Sequence, residues 1–496
     1  MRGSVSMLPL AVLFILWGSA IVITLLKNNV LAKKISLVAV GLANIVSVFL
    51  AFYIKENASI WLVLGADPWN LSLFVGPLES FIACLFTGIG FFIVWASLSM
   101  IDHDVEEERI TMYYALICAV IGLLCGTVFF DNLFNIFICI ELSVFAAAAI
   151  VIIKNKQENI RAGLRYIVQS ILGSGFLLMG VVVFFSLTGS LSLQGIHAGL
   201  AQRANIGNSL LYAFIFILVG VGIKSALFPF HTWLPGAHGT APSPSSAVLS
   251  ALVLKAYLIF FIKALYVVAG TTLVKRDPGL NYLLNVVLVM GTVAMLAGSI
   301  GALLQTDIKR MIAYSSVAQI GYIYMGIGLG SQLGLYAAIF HILAHAVTKS
   351  GLFLVAGSII EQTHNRRIDQ MAGLGYQMPI TTALFTIGAL SMVGIPVFIG
   401  FNSKWNFAIA IMDSKQFWAL AVLAISSLLN AMYYLPIVVR AFFGDEAKEK
   451  AKNPVYLERP VKDLLPIIAL AGMVLGFAIF TESIQAFIQM GVESIW

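Results

Sequence analysis

Seven ionisable residues stand in stretches of the chain that are otherwise apolar. Glu141 lies in NLFNIFICIELSVFAAAAI and Lys224 ends an apolar run just before FPFHTWLPGAH. Lys255 lies in ALVLKAYL, His341, His345 and Lys349 in HILAHAVTK, and Lys404 closes LSMVGIPVFIGFNSKW. A charged side chain at membrane depth costs on the order of 3 kcal/mol, which a leucine would remove, so several in one chain suggest work that moves charge. A Glu141–lysine pair holding two helices together is the structural alternative, but one pair does not account for three further buried lysines. His341, His345 and Lys349 recur every four residues, about one helical turn apart, and so share one face of a helix. Two histidines four apart also suit zinc, but the HExxH glutamate is missing and no cysteine or carboxylate lies nearby. A row of groups that titrate near neutrality suits a proton relay better.

The elements that position these residues follow from composition. Of 496 residues 60% are hydrophobic and 10% charged, with a net charge of +6; soluble chains carry about 25% charged residues. Lipid must therefore be the solvent. About fourteen spans are predicted, at roughly 7–26, 35–54, 72–100, 112–130, 132–153, 164–187, 209–228, 245–268, 282–305, 311–328, 333–360, 380–404, 417–442 and 463–486, joined by short links. The N-terminus reads as the first membrane helix, not a removable signal. Cys84, Cys118, Cys125 and Cys139 fall in apolar runs without a CxxC, which points to packing and to no metal or cofactor.

Basic residues orient the spans. About 18 lie in links after odd-numbered spans, against about six on the other side: Arg2, Lys55, Arg203, Lys275, Arg276 and Lys415. Odd links are thus expected in the cytoplasm and both termini outside. Five lysines remain within spans or at their broken ends: Lys224, Lys255, Lys263, Lys349 and Lys404. Lys263, near a helix end, is expected to snorkel to the interface. Glu79, in FVGPLESF, is a second acidic residue near a helix end.

Pro229 and Pro235 interrupt the seventh span, and Gly394, Pro396 and Gly400 the twelfth. Such breaks at membrane depth are tolerated where they line a protein-enclosed cavity. Two broken, lysine-bearing spans five helices apart imply two repeats inverted in the membrane, the pattern of a transporter.

The chain resembles the antiporter-like subunits shared by Mrp-type Na⁺/H⁺ antiporters, respiratory complex I and membrane-bound hydrogenases. The resemblance is carried by IELSV, KSALFPFHTWLPGAHGTAPSPSSAVLSALVLKAY, LLQTDIKRMIAYSSVAQIGYI, FHILAHAVTKSGLFLVAG and GIPVFIGFNSKW. It implies an all-α polytopic fold of fourteen helices with helices 4–8 and 9–13 as inverted repeats. The expected divisions are 1–111, 112–270, 271–442 and 443–496. It also implies that Glu141, Lys224, Lys255, His341, His345, Lys349 and Lys404 match the family's relay positions. Asp307, Lys309 and Arg310 match a polar motif expected to be structural or at the cytoplasmic mouth. WLPGAHGTAPSP departs from the pattern: complex I relatives more often have an acidic residue after LP, and D-type Mrp subunits lack the AH pair. With Trp496 soon after the last span, a lateral helix and an extra C-terminal region are expected to be absent.

The expected activity is proton movement, coupled to Na⁺ in the assembly, from Lys224 through Lys255 and the His345/His341 row to Lys404, with water bridging the gaps. The size suits a D-type Mrp subunit or its counterpart in an ion-pumping hydrogenase or complex I-like enzyme, where redox chemistry would belong to partner subunits. Expected partners are other membrane subunits in a prokaryotic inner membrane, H⁺, possible Na⁺ and lipid, but no nucleic acid. An organic-solute carrier would need a roomy central pocket. A redox subunit would need a GxGxxG in context, a cysteine cluster or a haem-ligand pair, and a scaffold would tolerate methionine at the buried lysines.

Overall fold

A computed structural model describes residues 7–65, 70–202, 208–452 and 455–496, with backbone alone at 272, 273, 275 and 276. Arg2 and Arg203 lie outside the described residues, as do the side chains of Lys275 and Arg276. The long helices are α1 Leu8–Leu26, α2 Asn29–Asn57, α3 Pro77–Asp104, α4 Glu107–Phe129, α5 Leu133–Ile152 and α6 Gln157–Thr188. A broken helix follows, α7a Ser209–Lys224 and α7b Leu234–Thr240. Then come α8 Ser243–Thr271, α9 Pro278–Leu303, α10 Ile308–Gly328 and α11 Gln332–Thr363. A second broken helix is α12a Pro379–Val393 and α12b Ile399–Asp413, before α13 Phe417–Phe442, α14 Val461–Ile479 and α15 Thr481–Ile495.

Among the described residues, 11 helices are long and apolar enough to cross a bilayer. The expected spans not among them are the seventh, tenth and twelfth. Two are shortened by breaks, and α10 carries a polar stripe of Ser315, Ser316, Gln319 and Tyr322. Several boundaries differ from expectation, and two of them show why. Residues 71–75 form a strand, β2, that pairs antiparallel with β1 (Ile60–Leu64) from Ile60↔Val75 to Leu64↔Leu71. The third helix starts only at Pro77, where proline's missing N–H costs nothing in a first turn. The last expected span stops at Ile479. There Asn402 on α12b donates to Ala478 O (3.2 Å) and Thr481 Oγ1 (2.6 Å), and α15 starts afresh.

The helices sort by burial. α8 and α11 are buried nearly all round, whereas α1, α2, α6 and α13 expose long apolar faces. A helix apolar on every side is either a core helix or a lipid-facing one, and both kinds occur here. α9 and α10 pack closely because small residues meet along their line of contact. A Cβ on Gly298 would collide with the backbone of Ala318. Gly298→Val is therefore expected to destabilise the chain by about 3 kcal/mol or more, read as loss of the folded protein from a mild detergent extract.

One side of the bundle carries the α1–α2, α3–α4, α5–α6, α9–α10 and α11–α12a links and most of the basic link residues. Lys33 pairs there with Asp102 at 2.6 Å and Lys154 with Asp104 at 2.5 Å. This is the basic face.

Candidate functional site

The break after Lys224 is built by the backbone. α7a ends at Lys224, Ala226 adopts a left-handed conformation (φ 59°), and a 3₁₀ turn at Phe230–Trp233 leads into α7b. Trp233 Nε1 donates to the Ile223 carbonyl at 3.0 Å, beside the Ala226 N–H (3.3 Å), and its ring stacks on Tyr166. Pro229 lies inside the break, but Pro235 does not break the helix. It sits in the first turn of α7b, where proline's fixed φ favours a helix start.

At the end of α7a the Lys224 ammonium is fully buried and donates to Glu141 Oε1 on α5 (2.9 Å) and to Ser174 Oγ on α6 (2.9 Å). Ser174 in turn donates to the Glu141 carboxylate at 2.6 Å. Glu141 is 19% exposed, so the pair spans from the sealed interior to the edge of the chain. The charge of Glu141 reaches the hydroxyls of Tyr166 and Tyr257. Tyr257 lies two residues from Lys255 and shares a 3.0 Å hydrogen bond with Ser143 on α5.

Lys255 is the hub. Its ammonium donates to Ser250 O at 2.5 Å, where a π-helical stretch (Leu249–Val253) loosens α8. Its charge acts on His238, His341, His345 and Lys349 alike. On α11 the rings of His341 and His345 stand 6.1 Å apart, and His341 Nδ1 shares a 2.7 Å hydrogen bond with Ser403. Lys349 is held by the Ile312 carbonyl (2.9 Å), Ser315 and Tyr434 (3.1 Å).

Lys404 lies in the second turn of α12b, not at the end of a span as its sequence position implied, because the helix resumes at Ile399 and runs on to Asp413. Its ammonium donates to the freed carbonyl of Val393 (2.7 Å) and stands 5.6 Å over the Tyr322 ring, which stacks on His341. Gly394 makes this possible. It has φ 90°, and a Cβ there would press on Lys404 Cδ at 2.7 Å. Pro396 falls within the break. Gly400 is in the first turn of α12b, where any side chain would strike the Ser391 carbonyl.

Asp307 caps α10 by accepting from Arg310 N (2.9 Å) and pairs with Arg366 (2.9 Å). Lys309 is buried and donates to Ala241 O (2.5 Å), closing the link from α7b to α8. Arg310 packs its stem near Gly239. Beside them a polar cavity of about 430 Å³ opens on the basic face, lined by His103, Asp104, Lys154, Lys309, Glu361 and Arg366. Gly239, Thr240 and Ala241 form part of its wall, and His238 lies one residue behind them.

Several polar groups absent from the expected set join these. His238 is fully buried, stacked on Phe353, with the Ser246 backbone beside its ring. The Gln319 amide, His341 Nε2 and both nitrogens of His345 are buried without partners among the described residues, and the Tyr322 hydroxyl has Ser426, Ser427 and Asn430 about it. Sequence offered one signal for this group, the AH pair in WLPGAHGTAPSP. Lys263 does not snorkel. It is 1% exposed and 3.1 Å from the fully buried Glu79, because the hairpin and the α4–α5 link cover that end of α8. Among the described residues no three His, Cys, Asp or Glu side chains gather as a metal site.

These features define a multi-pass membrane protein with titratable groups running through its sealed interior. Residues 131–430 match the transmembrane family described as NADH:quinone oxidoreductase/Mrp antiporter. The chain is 33% identical over 428 residues to the N-type subunit of the NADH-quinone oxidoreductase of Desulforudis audaxviator, covering 84% of this chain and 83% of that one. It is 27% identical over 483 residues to the D-type subunit of the Na⁺/H⁺ antiporter of Alkalihalophilus pseudofirmus, covering 96% and 95%. The protein therefore belongs to the NADH:quinone oxidoreductase/Mrp antiporter transmembrane family. Its fold matches a chain of the Mrp complex from Dietzia sp. DQ12-45-1b (TM-score 0.89, 22% identity, 100% and 98% coverage). It also matches a chain of the membrane-bound sulfane sulfur reductase, an archaeal respiratory membrane complex (TM-score 0.89, 23% identity, 99% and 97% coverage).

Proposed function

We propose that this chain is the proton-translocating subunit of a multisubunit cation/proton antiporter in a prokaryotic inner membrane, in the position of the D-type Mrp subunit. Near end-to-end alignment with D-type subunits, 96% and 98% of this chain in two of them, supports that parent complex. The 33% identity to an N-type oxidoreductase subunit supports the second reading, the ion-pumping subunit of a redox-driven complex I-like or hydrogenase assembly. By the positive-inside rule the basic face is cytoplasmic and both termini are outside.

One observation carries the proton reading. Gln319, His341 and His345 together present five buried nitrogen and oxygen atoms without a protein partner among the described residues, with His238 and Tyr322 in the same file. A buried polar group left unpaired costs about 1–3 kcal/mol, so a cluster of them is stable where water supplies the partners. Water among alternating imidazoles and ammonium groups is what a proton relay needs.

The electrostatic neighbours of each group support one order for the relay. Protons enter from the cavity on the basic face by way of His238 and reach Lys255. They exchange there with the Lys224–Glu141 pair, and with Lys404 through His345 and His341. The repeat reading, α4–α8 against α9–α13, is supported by neighbour relations. In each set the first helix packs on the second, the second on the third, and the third on a half of the broken fourth.

His345→Phe tests the hydrated file by filling it with a ring that neither titrates nor bonds water. Proton transport by the complete complex in membrane vesicles is expected to fall at least about tenfold, with every protein of the complex present in its normal amount. Transport at the wild-type rate would remove His345 from the relay.

A further inference from the structure

Away from the basic face, a second group of ionisable side chains is sealed where α3, α8 and the α4–α5 link meet. Glu79, Lys263 and Asp131 are 0%, 1% and 2% exposed. The Lys263 ammonium stands 3.1 Å from Glu79 Oε1 and donates to two carbonyls at the end of α4, Val128 (2.7 Å) and Phe130 (3.4 Å). The other Glu79 oxygen accepts from Gly76 N at 3.0 Å. The charged groups acting on Asp131 are Lys263 and Glu79.

We propose that Glu79, Asp131 and Lys263 form a second proton-binding site, through which the first half of the molecule exchanges protons with the outer side. The proposal rests on the proton-transport reading above.

Three observations converge. A clamp for one lysine needs one carboxylate; the second leaves the sealed site with a net negative charge unless it binds a proton. Next, Glu79 Oε1 has the Lys263 ammonium as its partner, whereas Asp131 Oδ2 and Ser72 Oγ have none among the described residues. Asp131 N donates to Ser72 O at 2.9 Å, so the last two sit together, with the same need for water as the central file. Finally, a seam of amides leads away from Asp131. Asn132 donates to Asn70 Oδ1 (3.3 Å), and Asn135, which is half-buried, to Asn70 O (3.0 Å). Burial pushes the Asp131 carboxyl up to about 6, Glu79 pushes the same way and Lys263 opposes. Lys263 lies eight residues along α8 from Lys255, about 12 Å further toward this face.

Two measurements on the complete complex in membrane vesicles test the site. In the first, transport is followed while outer pH varies at fixed inner pH. Asp131→Asn is expected to lower the rate about tenfold and to flatten its dependence on outer pH near 6, and Asp131→Glu to restore both. An unchanged rate and profile in Asp131→Asn overturns the proposal. The second uses the unaltered chain, so it decides the matter even if the variant fails to assemble. A hydrophobic carbodiimide, which reacts with protonated buried carboxyls, is expected to modify Asp131 or Glu79 increasingly as outer pH falls. Absence of modification at every pH overturns the proposal. The modification needs no transport, so a labelled carboxyl in a Lys224→Ala complex that still transports normally would sink the relay alone.

Discussion

Lys224→Ala is expected to abolish proton transport, by at least about a hundredfold, while the complex still assembles. A hundredfold corresponds to about 2.7 kcal/mol, comparable to the cost of placing a charge at membrane depth without its carrier. Assembly should survive for a local reason. The partner left behind, Glu141, is 19% exposed and keeps the Ser174 hydroxyl, so it is not stranded in a dry core. Glu141→Ala should abolish transport equally but is harder on folding, because Lys224 is fully buried and keeps only Ser174. Removing one member of a buried pair costs about 3–5 kcal/mol. The double variant Glu141→Gln/Lys224→Met removes both charges at once and should assemble better than Glu141→Ala alone. Proton uptake into vesicles, with the make-up of the complex checked by native electrophoresis, reads both quantities. Wild-type transport in Lys224→Ala would mean that the pair is a helix clamp. In the proposed cycle the pair holds a proton on Lys224, and separation of α7a from α5 releases it toward Lys255. The irregular backbone at 225–233, between the two halves of the helix, is where such a movement can be absorbed.

What could be read from sequence, and what could not, divides along a physical line. Charges in apolar runs are conspicuous, so Glu141, Lys224, Lys255, His341, His345, Lys349 and Lys404 stand out by cost alone. Hydroxyls and amides do not, because a serine in an apolar helix satisfies itself on the preceding turn. Ser174 does this too, donating to Ser170 O at 2.9 Å, and nothing in GSGF distinguishes it. Lys263 departs from its expected place because nearness to a helix end is not nearness to water. A hairpin and a three-residue link that no periodicity announces cover that end of α8. Pro235 shows the converse limit: proline marks a discontinuity, but whether it breaks one helix or starts the next depends on the turn before it.

Lys404 yields the sharpest contrast between transport and structure. Its ammonium is held by one backbone carbonyl, at Val393, and by the face of Tyr322, with no carboxylate among its contacts in the described residues. A leucine there removes the titrating group, leaves the Val393 carbonyl of the broken helix unpaired, and should stop transport outright, at least about a hundredfold. A glutamate restores a titratable group beside His341 and can donate to the same carbonyl when protonated. Lys404→Glu is therefore expected to keep a measurable fraction of the rate, on the order of a tenth, with an altered pH profile. Lys404→Met, which retains the length of the stem packed against Gly394, separates packing from titration and should behave like leucine. The ranking glutamate above methionine and leucine, in complexes of equal make-up, is what a relay requires. Equal losses in all three would instead mark Lys404 as a cap that holds the two halves of α12 at their angle, and the route to the outer side would then have to leave the relay before His341.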